Sequence, residues 1–405
     1  MTQCLICNNS IEPFISFGKQ PLGNGFLSQQ QFPKEYFFEL KACFCSKCNM
    51  VQLAEQPDPK QMFNENYAFF SGTSKHMAQH FAHFAENVQK NYLNESDPFV
   101  VEIGSNDGIM LKNFAQKGIR HLGIEPSANV AKVARDQGIN SICEFFGEET
   151  ARKIVKDHGQ ADAFLGANVM CHISSFNSVI KGIDILLKPN GIVAFEDPYL
   201  GDVVQKTSYD QFYDEHVFLF SASSVQVAFE REGFELIDLI PVHTHGGSMR
   251  YVLARKGKRK VSPSVAEGLE REKKLGLTRA DTFHTFRKNC EQSRDELLNL
   301  LKSLKAQNKR VVGYAATSKS TTVINYCGIT PDLVEFISDT TPIKLGRYSP
   351  GGHIPVLAHD KFKNAFPDYA LLFGWNHKDE IMEKEKDFVS KGGHWIVYVP
   401  KVEII

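Results

Sequence analysis

Short apolar, β-branched runs alternate with segments of helical period over most of the chain. Phe99-Val-Val-Glu-Ile103 reads as a strand closed by a glycine-containing turn, Leu122-Gly-Ile-Glu125 as a second strand, and Ala163-Phe-Leu-Gly-Ala167 as a third or fourth. Ile192-Val-Ala-Phe-Glu196 follows Pro189-Asn-Gly191, a turn signal. Helical patterns such as Ala128 to Gln137 lie between them. Strand and helix in alternation predict an α/β fold with a mostly parallel, doubly wound sheet. Residues 310–405 repeat the alternation, starting from the strand Arg310-Val-Val-Gly313. Between these two regions Phe283, Phe286, Cys290, Ser293, Leu297, Leu300 and Leu304 recur at spacings of three and four. That is one apolar helix face, expected to pack on a neighbouring domain. Residues 1 to about 60 differ: they are rich in cysteine and hold few long helical patterns. The expected organisation is a small N-terminal module over 1–66, a Rossmann-like domain over 67–260 and a second Rossmann-like α/β domain over 261–405.

Composition narrows the function classes. In 405 residues, 46 Lys and Arg face 47 Asp and Glu, a net charge of -1. That balance argues against a broad nucleic-acid or anionic-membrane surface. No apolar stretch approaches the roughly 18 residues of a membrane helix. The start Met1-Thr-Gln-Cys4 lacks a basic region followed by an apolar run, so no signal peptide is expected and a cytoplasmic location is. The basic run Arg255 to Lys260 reads as a solvated linker.

The nine cysteines are uneven: Cys4, Cys7, Cys43, Cys45 and Cys48 fall in the first 48 residues. Cys4-Leu-Ile-Cys7 and Cys45-Ser-Lys-Cys48 are two C-x-x-C knuckles. Together they offer four soft ligands, which suits a closed, structural, tetrahedral Zn2+ site. Cys43 is expected to lie outside the ligand set. His76, His80 and His83 share a helical face, which reads as a surface or packing face.

The turn Glu102-Ile-Gly104-Ser-Asn106-Asp107-Gly108 follows the first strand, and Glu125 ends the second. Gly104 would let a ligand approach the backbone closely, and Glu125 is placed to accept hydrogen bonds from ribose hydroxyls. The pattern is not G-x-G-x-x-G, so it favours an S-adenosylmethionine site over a dinucleotide site. Glu102, Asn106 and Asp107 would lie near the methionine ammonium, and Phe145 and Phe146 would supply an apolar slot for adenine. Four segments combine titratable groups with strand ends or turns: Asn168-Val-Met-Cys-His172, Tyr209 to His216, His243 to Arg250, and Asn66-Tyr67.

Taken together, these motifs resemble the deoxysugar C-methyltransferases that act on nucleotide-linked 4-keto sugars. The resemblance rests on Cys45-x-x-Cys48-x-x-x-Gln52-Leu53, Glu102 to Gly108, Glu125-Pro126-Ser127, Asn168-Val-x-x-His172-Ile, Tyr213-x-Glu215-His216, Gly246-Gly-Ser-Met-Arg250, Gly313 to Lys319 and Pro350 to Pro355. The segment around Tyr213 often reads H-E-H in this family and reads Asp214-Glu215-His216 here. The resemblance implies adenosylmethionine as cofactor, held by Glu102, Gly104, Asn106, Asp107, Glu125, Pro126, Ser127, Phe146 and Asn168, with a structural zinc on Cys4, Cys7, Cys45 and Cys48. It implies His216 as general base with Glu215 orienting or charging it. Tyr213, His172 and Tyr67 would hold the enolate oxygen or finish proton transfer. Arg250, Thr317, Ser318, Lys319, Lys344, Arg347 and His353 would contact a nucleotide-linked 4-keto sugar. A ketone at C-4 makes the C-3 hydrogen removable as an enolate, so a single positioned base suffices. Transfer to a sugar oxygen or nitrogen, and a non-catalytic zinc-containing sugar-nucleotide binding protein, remain open alternatives. A monomer is expected, without nucleic-acid or membrane partners.

Overall fold

The computed structural model describes residues 2–58, 62 and 75–405. Near the N-terminus, β1 (Pro13–Pro21), β2 (Phe37–Phe44) and β3 (Val51–Leu53) form an antiparallel meander. The sheet's fourth strand comes from far down the chain. Phe218–Leu219 pairs antiparallel with β3, setting Phe218 opposite Gln52 and Leu219 opposite Val51. Leu53 N–H also donates to the Val217 carbonyl at 2.8 Å.

The central region runs α1 (Lys75–Tyr92), β4 (Phe99–Ile103), β5 (Arg120–Ile124), α2 (Ala128–Asp136), β6 (Ser141–Ile142), α3 (Glu148–His158), β7 (Ala161–Ala167), α4 (Phe176–Leu186) and β8 (Leu187–Pro198). The shared strand Phe218–Leu219 is β9, followed by α5 (Ala222–Glu230), β10 (Phe234–Val242) and β11 (Ser248–Arg255). Seven of these strands form one sheet in the order β10-β11-β8-β7-β4-β5-β6. Pairs from β8 to β6 are parallel, while β11 and β10 are antiparallel. Every residue of β4 is buried, as expected for a parallel strand covered on both faces, and this includes Glu102. The strand order reverses between β4 and β7, so ligands are expected outside the carboxyl ends of those strands.

The C-terminal region opens with α6 (Pro263–Leu275) and the long α7 (Ala280–Ala306). It continues through β12 (Val311–Tyr314), α8 (Ser318–Tyr326), β13 (Ile337–Asp339), β14 (Val356–Ala358), β15 (Tyr369–Leu372), β16 (His394–Val397) and β17 (Glu403–Ile404). The sheet order is β14-β13-β12-β15-β16-β17, parallel except for β17. The buried stripe of α7 contains Leu301 where the spacing pattern pointed to Leu300. Leu300 and Leu301 lie on either side of the stripe's centre at about 100° per residue, and Leu300 is partly buried against the same core. That stripe meets the N-terminal sheet, with the Phe283 ring 5.1 Å from Phe14 and 4.4 Å from Phe44. One apolar core thus joins the first and last regions of the chain.

The basic run is solvated only in part: Lys256, Lys258 and Lys260 are exposed, whereas its arginines are engaged. Arg255 closes β11 and pairs with Asp184, and the Arg259 guanidinium donates to the Asn190 carbonyl at 2.7 Å. Among the described residues no helix is long and apolar enough to cross a membrane.

Candidate functional site

The sulfur atoms of Cys4, Cys7, Cys45 and Cys48 all lie within 4.8 Å of one another. Cys4 and Cys48 are 3.4 Å apart, and Cys7 and Cys45 are 3.5 Å apart. Tetrahedral zinc with bonds of roughly 2.3 Å needs sulfur separations of about 3.8 Å, so the four thiols fit that ion. The two knuckles fold alike. Asn8 and Asn49 take left-handed backbone, at φ 60° and 59°, and return their N–H groups to the carbonyls of Cys4 and Cys45. Cys43 is buried but stands outside this set.

Across the molecule, the carboxyl ends of β4, β5, β7 and β8 bring polar groups to one rim. Glu102 is buried, and its Oε2 has no hydrogen-bond partner among the described residues. Burial, then the nearby Glu125 and Asp107, hold its carboxyl well above the usual range, a state that a cationic group alongside would reverse. Glu125 accepts Ser127 N–H at 2.8 Å on one oxygen and Asn106 N–H at 3.1 Å on the other, leaving a lone pair on each. Gly104 sits at φ +58°, and a Cβ there would fall 2.5 Å from a Val169 methyl. Asn168 also takes left-handed backbone, its N–H donates to the Glu196 carbonyl at 2.7 Å, and its buried Oδ1 has no partner among the described residues. Pro126 and Ser127 lead into α2, with Ser127 at its N-cap. A buried carboxylate beside a strand-end carboxylate with spare lone pairs fits the ammonium and ribose of an aminoacyl nucleoside.

Phe146 does not join this rim. Its ring is buried and packs 4.9 Å from Phe164, while Phe145 is exposed, and the two together line a cleft with Gly147, Glu148 and Ser178 at the start of α3.

The titratable cluster comes from the turn after β7 and the segment Tyr209 to His216. The Tyr213 hydroxyl is 2.9 Å from His216 Nε2, and His216 Nδ1 is 2.7 Å from the Gln211 carbonyl. A carbonyl can only accept, so Nδ1 carries the hydrogen, and the Nε2 of a neutral ring receives the Tyr213 O–H. Burial holds the His216 imidazole neutral, well below its usual pKa, with His172 acting in the same direction. The His172 ring stacks 5.4 Å away, and burial lowers its pKa to about 4. Tyr67 lies outside the described residues.

Glu215 does not orient His216; the Gln211 main chain does. The Glu215 carboxylate turns the other way and accepts from Asn24 at 2.7 Å. Burial raises its pKa to about 7, opposed by Asn24 and Lys344. Asp214 accepts Gly23 N–H at 2.7 Å. The Ser318 hydroxyl donates to Asn24 Oδ1 at 2.8 Å, and the Thr321 hydroxyl to the Gly23 main-chain carbonyl at 3.0 Å. Gly23-Asn24 therefore ties the Asp214-Glu215 pair to the start of α8. The turn-forming run Leu22-Gly-Asn-Gly25 was the sequence signal for this loop.

Thr317 caps α8 through Ser320 N–H at 3.1 Å. The buried Lys319 ammonium donates to the His245 carbonyl at 3.1 Å, and Lys344 donates to the Ala316 carbonyl at 2.7 Å. Arg347 reaches the Phe26 carbonyl at 3.0 Å. Two residues expected to contact substrate are engaged elsewhere. Arg250, opposite Glu196 in the β8–β11 register, gives two hydrogen bonds to that carboxylate at 2.8 and 3.0 Å beneath the Phe84 ring. His353 pairs with Glu35 at 2.7 Å and stacks on Phe32 at 3.7 Å, joining the C-terminal region to the N-terminal module. Conversely, His80 is no mere packing residue, since it binds the second oxygen of Glu196 at the strand end.

Over 407 aligned positions the chain is 31% identical to the C-methyltransferase NovU of Streptomyces niveus, spanning 100% of this chain and 96% of that protein. The chain belongs to the C-methyltransferase family. This C-methyltransferase matches family models for a C-methyltransferase C-terminal domain over residues 243–400 and a methyltransferase domain over 75–239. A third model, named for zinc binding, matches residues 4–63. The enzyme is S-adenosylmethionine-dependent, and its four-cysteine cluster fits a structural zinc. Solved structures are more distant. Magnesium protoporphyrin IX methyltransferase from Synechocystis PCC 6803 is 12% identical at TM-score 0.34, over 44% of this chain and 79% of that one. The PH0226 protein of Pyrococcus horikoshii OT3 is 14% identical at TM-score 0.38, over 50% of this chain and 100% of that one. Likeness this weak has no bearing on the activity.

Proposed function

We propose that this enzyme methylates carbon, at C-3, of a nucleotide-linked 4-keto-deoxysugar. On this reading residues 1–66 carry the zinc, 67–260 the cofactor and 261–405 most contacts to the nucleotide. The observation that carries it is the pairing of Tyr213 with a neutral His216 whose proton is fixed on Nδ1 by Gln211.

Bound adenosylmethionine supplies an activated, electrophilic methyl group; the remaining work falls to the chain's own side chains. Glu102, with Asn106, Asp107 and Asn168 nearby, would face the ammonium, and Glu125 with Pro126 and Ser127 the ribose. Gly104 lets the turn adopt left-handed backbone and pass close to Val169. Thr317, Ser318, Lys319, Lys344 and Arg347 would seat the nucleotide diphosphate, where a helix N-terminus and cations complement phosphate.

A sugar C–H becomes acidic only beside a carbonyl, so the acceptor carbon is placed next to the 4-keto group. The C-3 proton passes through the Tyr213 oxygen, whose own proton moves to His216 Nε2. The C–H electron pair moves toward the C-4 oxygen, which gains negative charge. His172 and Tyr67 would help hold that oxygen.

Two experiments test the reading. Purified protein with adenosylmethionine is screened by mass spectrometry against dTDP-, GDP- and UDP-linked 4-keto sugars, and one should gain a methyl group on carbon. In deuterated water without adenosylmethionine, the accepted sugar should exchange the hydrogen beside its ketone. Methylation with no such exchange would favour transfer to oxygen or nitrogen.

A further inference from the structure

Tyr209, Asp210 and Gln211 form a single helical turn, and all three are buried. Gln211 bonds within the central region. Its carbonyl accepts His216 Nδ1–H at 2.7 Å, and its side-chain amide donates to the His245 carbonyl at 2.7 Å. Its neighbours bond to the C-terminal region instead. The Tyr209 hydroxyl meets the Cys327 thiol at 3.4 Å, and the Phe212 carbonyl accepts the Thr322 hydroxyl at 2.6 Å. Asp210 makes the strongest of these links. Its Oδ2 accepts the Trp375 indole N–H at 2.6 Å and the Tyr398 hydroxyl at 2.9 Å. Trp375 follows β15, and Tyr398 follows β16 directly.

A carboxyl group taken out of water is kept at a cost, so packing alone does not account for it. Here both donors meet on one oxygen, and Oδ1 has no hydrogen-bond partner among the described residues. The group is therefore gripped from two directions at a single atom. Trp375 is itself held, because a Cβ on Gly246 would collide with its ring. One peptide bond separates this grip from Gln211, whose carbonyl decides which nitrogen of His216 carries the proton.

We propose that Asp210 is a positioning residue for the reaction, a role that rests on His216 being the proton acceptor. Held by Trp375 and Tyr398, Asp210 sets the main chain of Gln211. The Gln211 carbonyl then keeps the His216 proton on Nδ1 and the Nε2 lone pair toward Tyr213. Asp210 acts only through Gln211 and adds no covalent step. The geometry of the base thus depends on the C-terminal region, the part assigned most contacts to the nucleotide. The proton acceptor is correctly set only where the two regions are docked.

The test compares Asp210→Ala, Asp210→Asn and Tyr398→Phe in the full-length protein. Asp210→Ala removes the acceptor of both bonds, whereas Asp210→Asn keeps one oxygen to receive them. Tyr398→Phe removes one donor and preserves the ring, so it stays informative if the alanine variant does not fold. The first readout is the proton resonance of His216 Nδ1–H, in protein whose histidines carry an isotopic nitrogen label, assigned by its loss in His216→Asn. The second is kcat and KM for the sugar methylated in the substrate screen. Asp210→Ala should lower kcat about 10²-fold, the size expected when a reacting group is misplaced by about 1 Å, with KM changed little. Its His216 resonance should shift or exchange away with solvent. Asp210→Asn should recover most of both, and Tyr398→Phe should fall between. Wild-type kcat in Asp210→Ala, or in Tyr398→Phe where the alanine variant does not fold, would overturn the role of Asp210 alone. So would a fall in kcat with the resonance unmoved, a change confined to KM, or an asparagine variant as poor as the alanine one. Full turnover by His216→Asn would overturn the reading of the base, and the role of Asp210 with it.

Discussion

The Tyr213 hydroxyl lies 2.9 Å from His216 Nε2, and because Gln211 occupies the other ring nitrogen, Nε2 is the only nitrogen of His216 with a lone pair to give. Loss of either partner should therefore break the same step. His216→Asn and Tyr213→Phe are each expected to lower kcat by about 10²–10⁴-fold, the usual contribution of a positioned acid–base group. Calorimetry should find adenosylmethionine affinity unchanged in both, because neither side chain belongs to the Glu102–Glu125 rim. A variant with full turnover would remove its residue from the proton path.

Asp197 predicts how stability depends on pH. Burial, opposed by Cys171, raises its carboxyl pKa to about 8. A group that binds its proton more tightly when folded contributes fully below its unfolded pKa of about 4 and loses that contribution as pH climbs through about 8. Denaturation midpoints should thus fall between pH 6 and pH 8.5. Asp197→Asn should narrow that gap, and an unchanged gap would assign the dependence to other groups.

The cysteines separate by role. Cys48→Ser should lose most bound zinc by elemental analysis, whereas Cys43→Ser should keep it. Phe218, paired with Gln52 of β3, is two residues past His216. Metal removal by chelation is therefore expected to depress turnover more than adenosylmethionine affinity. Equal loss of both would mean that the whole molecule unfolds with the module.

Glu196 and Arg250 form a buried pair that also holds His80. Burial pushes the Glu196 carboxyl upward, and the His80 and Arg250 contacts outweigh it, holding it below its usual range. Glu196→Gln strands a buried guanidinium and should cost about 3–5 kcal/mol in urea unfolding. Arg250→Met leaves Glu196 with His80 and should cost less. The reverse ranking would show that the charge of Arg250 is satisfied elsewhere.

Legibility in the sequence tracks the range of the interactions. The strands of the central sheet, the α7 face and the paired knuckles are local patterns, set by residue spacing alone. Arg250 and His353 looked like ligand contacts because they are polar residues in glycine-rich turns. Their actual partners, Glu196 and Glu35, meet them only through strand register or module docking. His80 sits on a helix face whose composition is indistinguishable from packing until β8 places Glu196 beneath it. Phe145 and Phe146 share one local environment in sequence, and only the fold decides which is inside. Asn24 is the strongest case. In sequence it is one polar turn residue, yet it bridges Glu215 and Ser318 across three regions of the chain.

The strand β9 closes the edge of a sheet whose other strands lie more than 160 residues earlier in the chain. That sheet stays one strand short until residue 219 has been made. A fragment ending after Leu53 would carry the bare backbone of Val51–Leu53, a sticky margin for any passing chain, so the downstream strand guards the upstream sheet against mispairing.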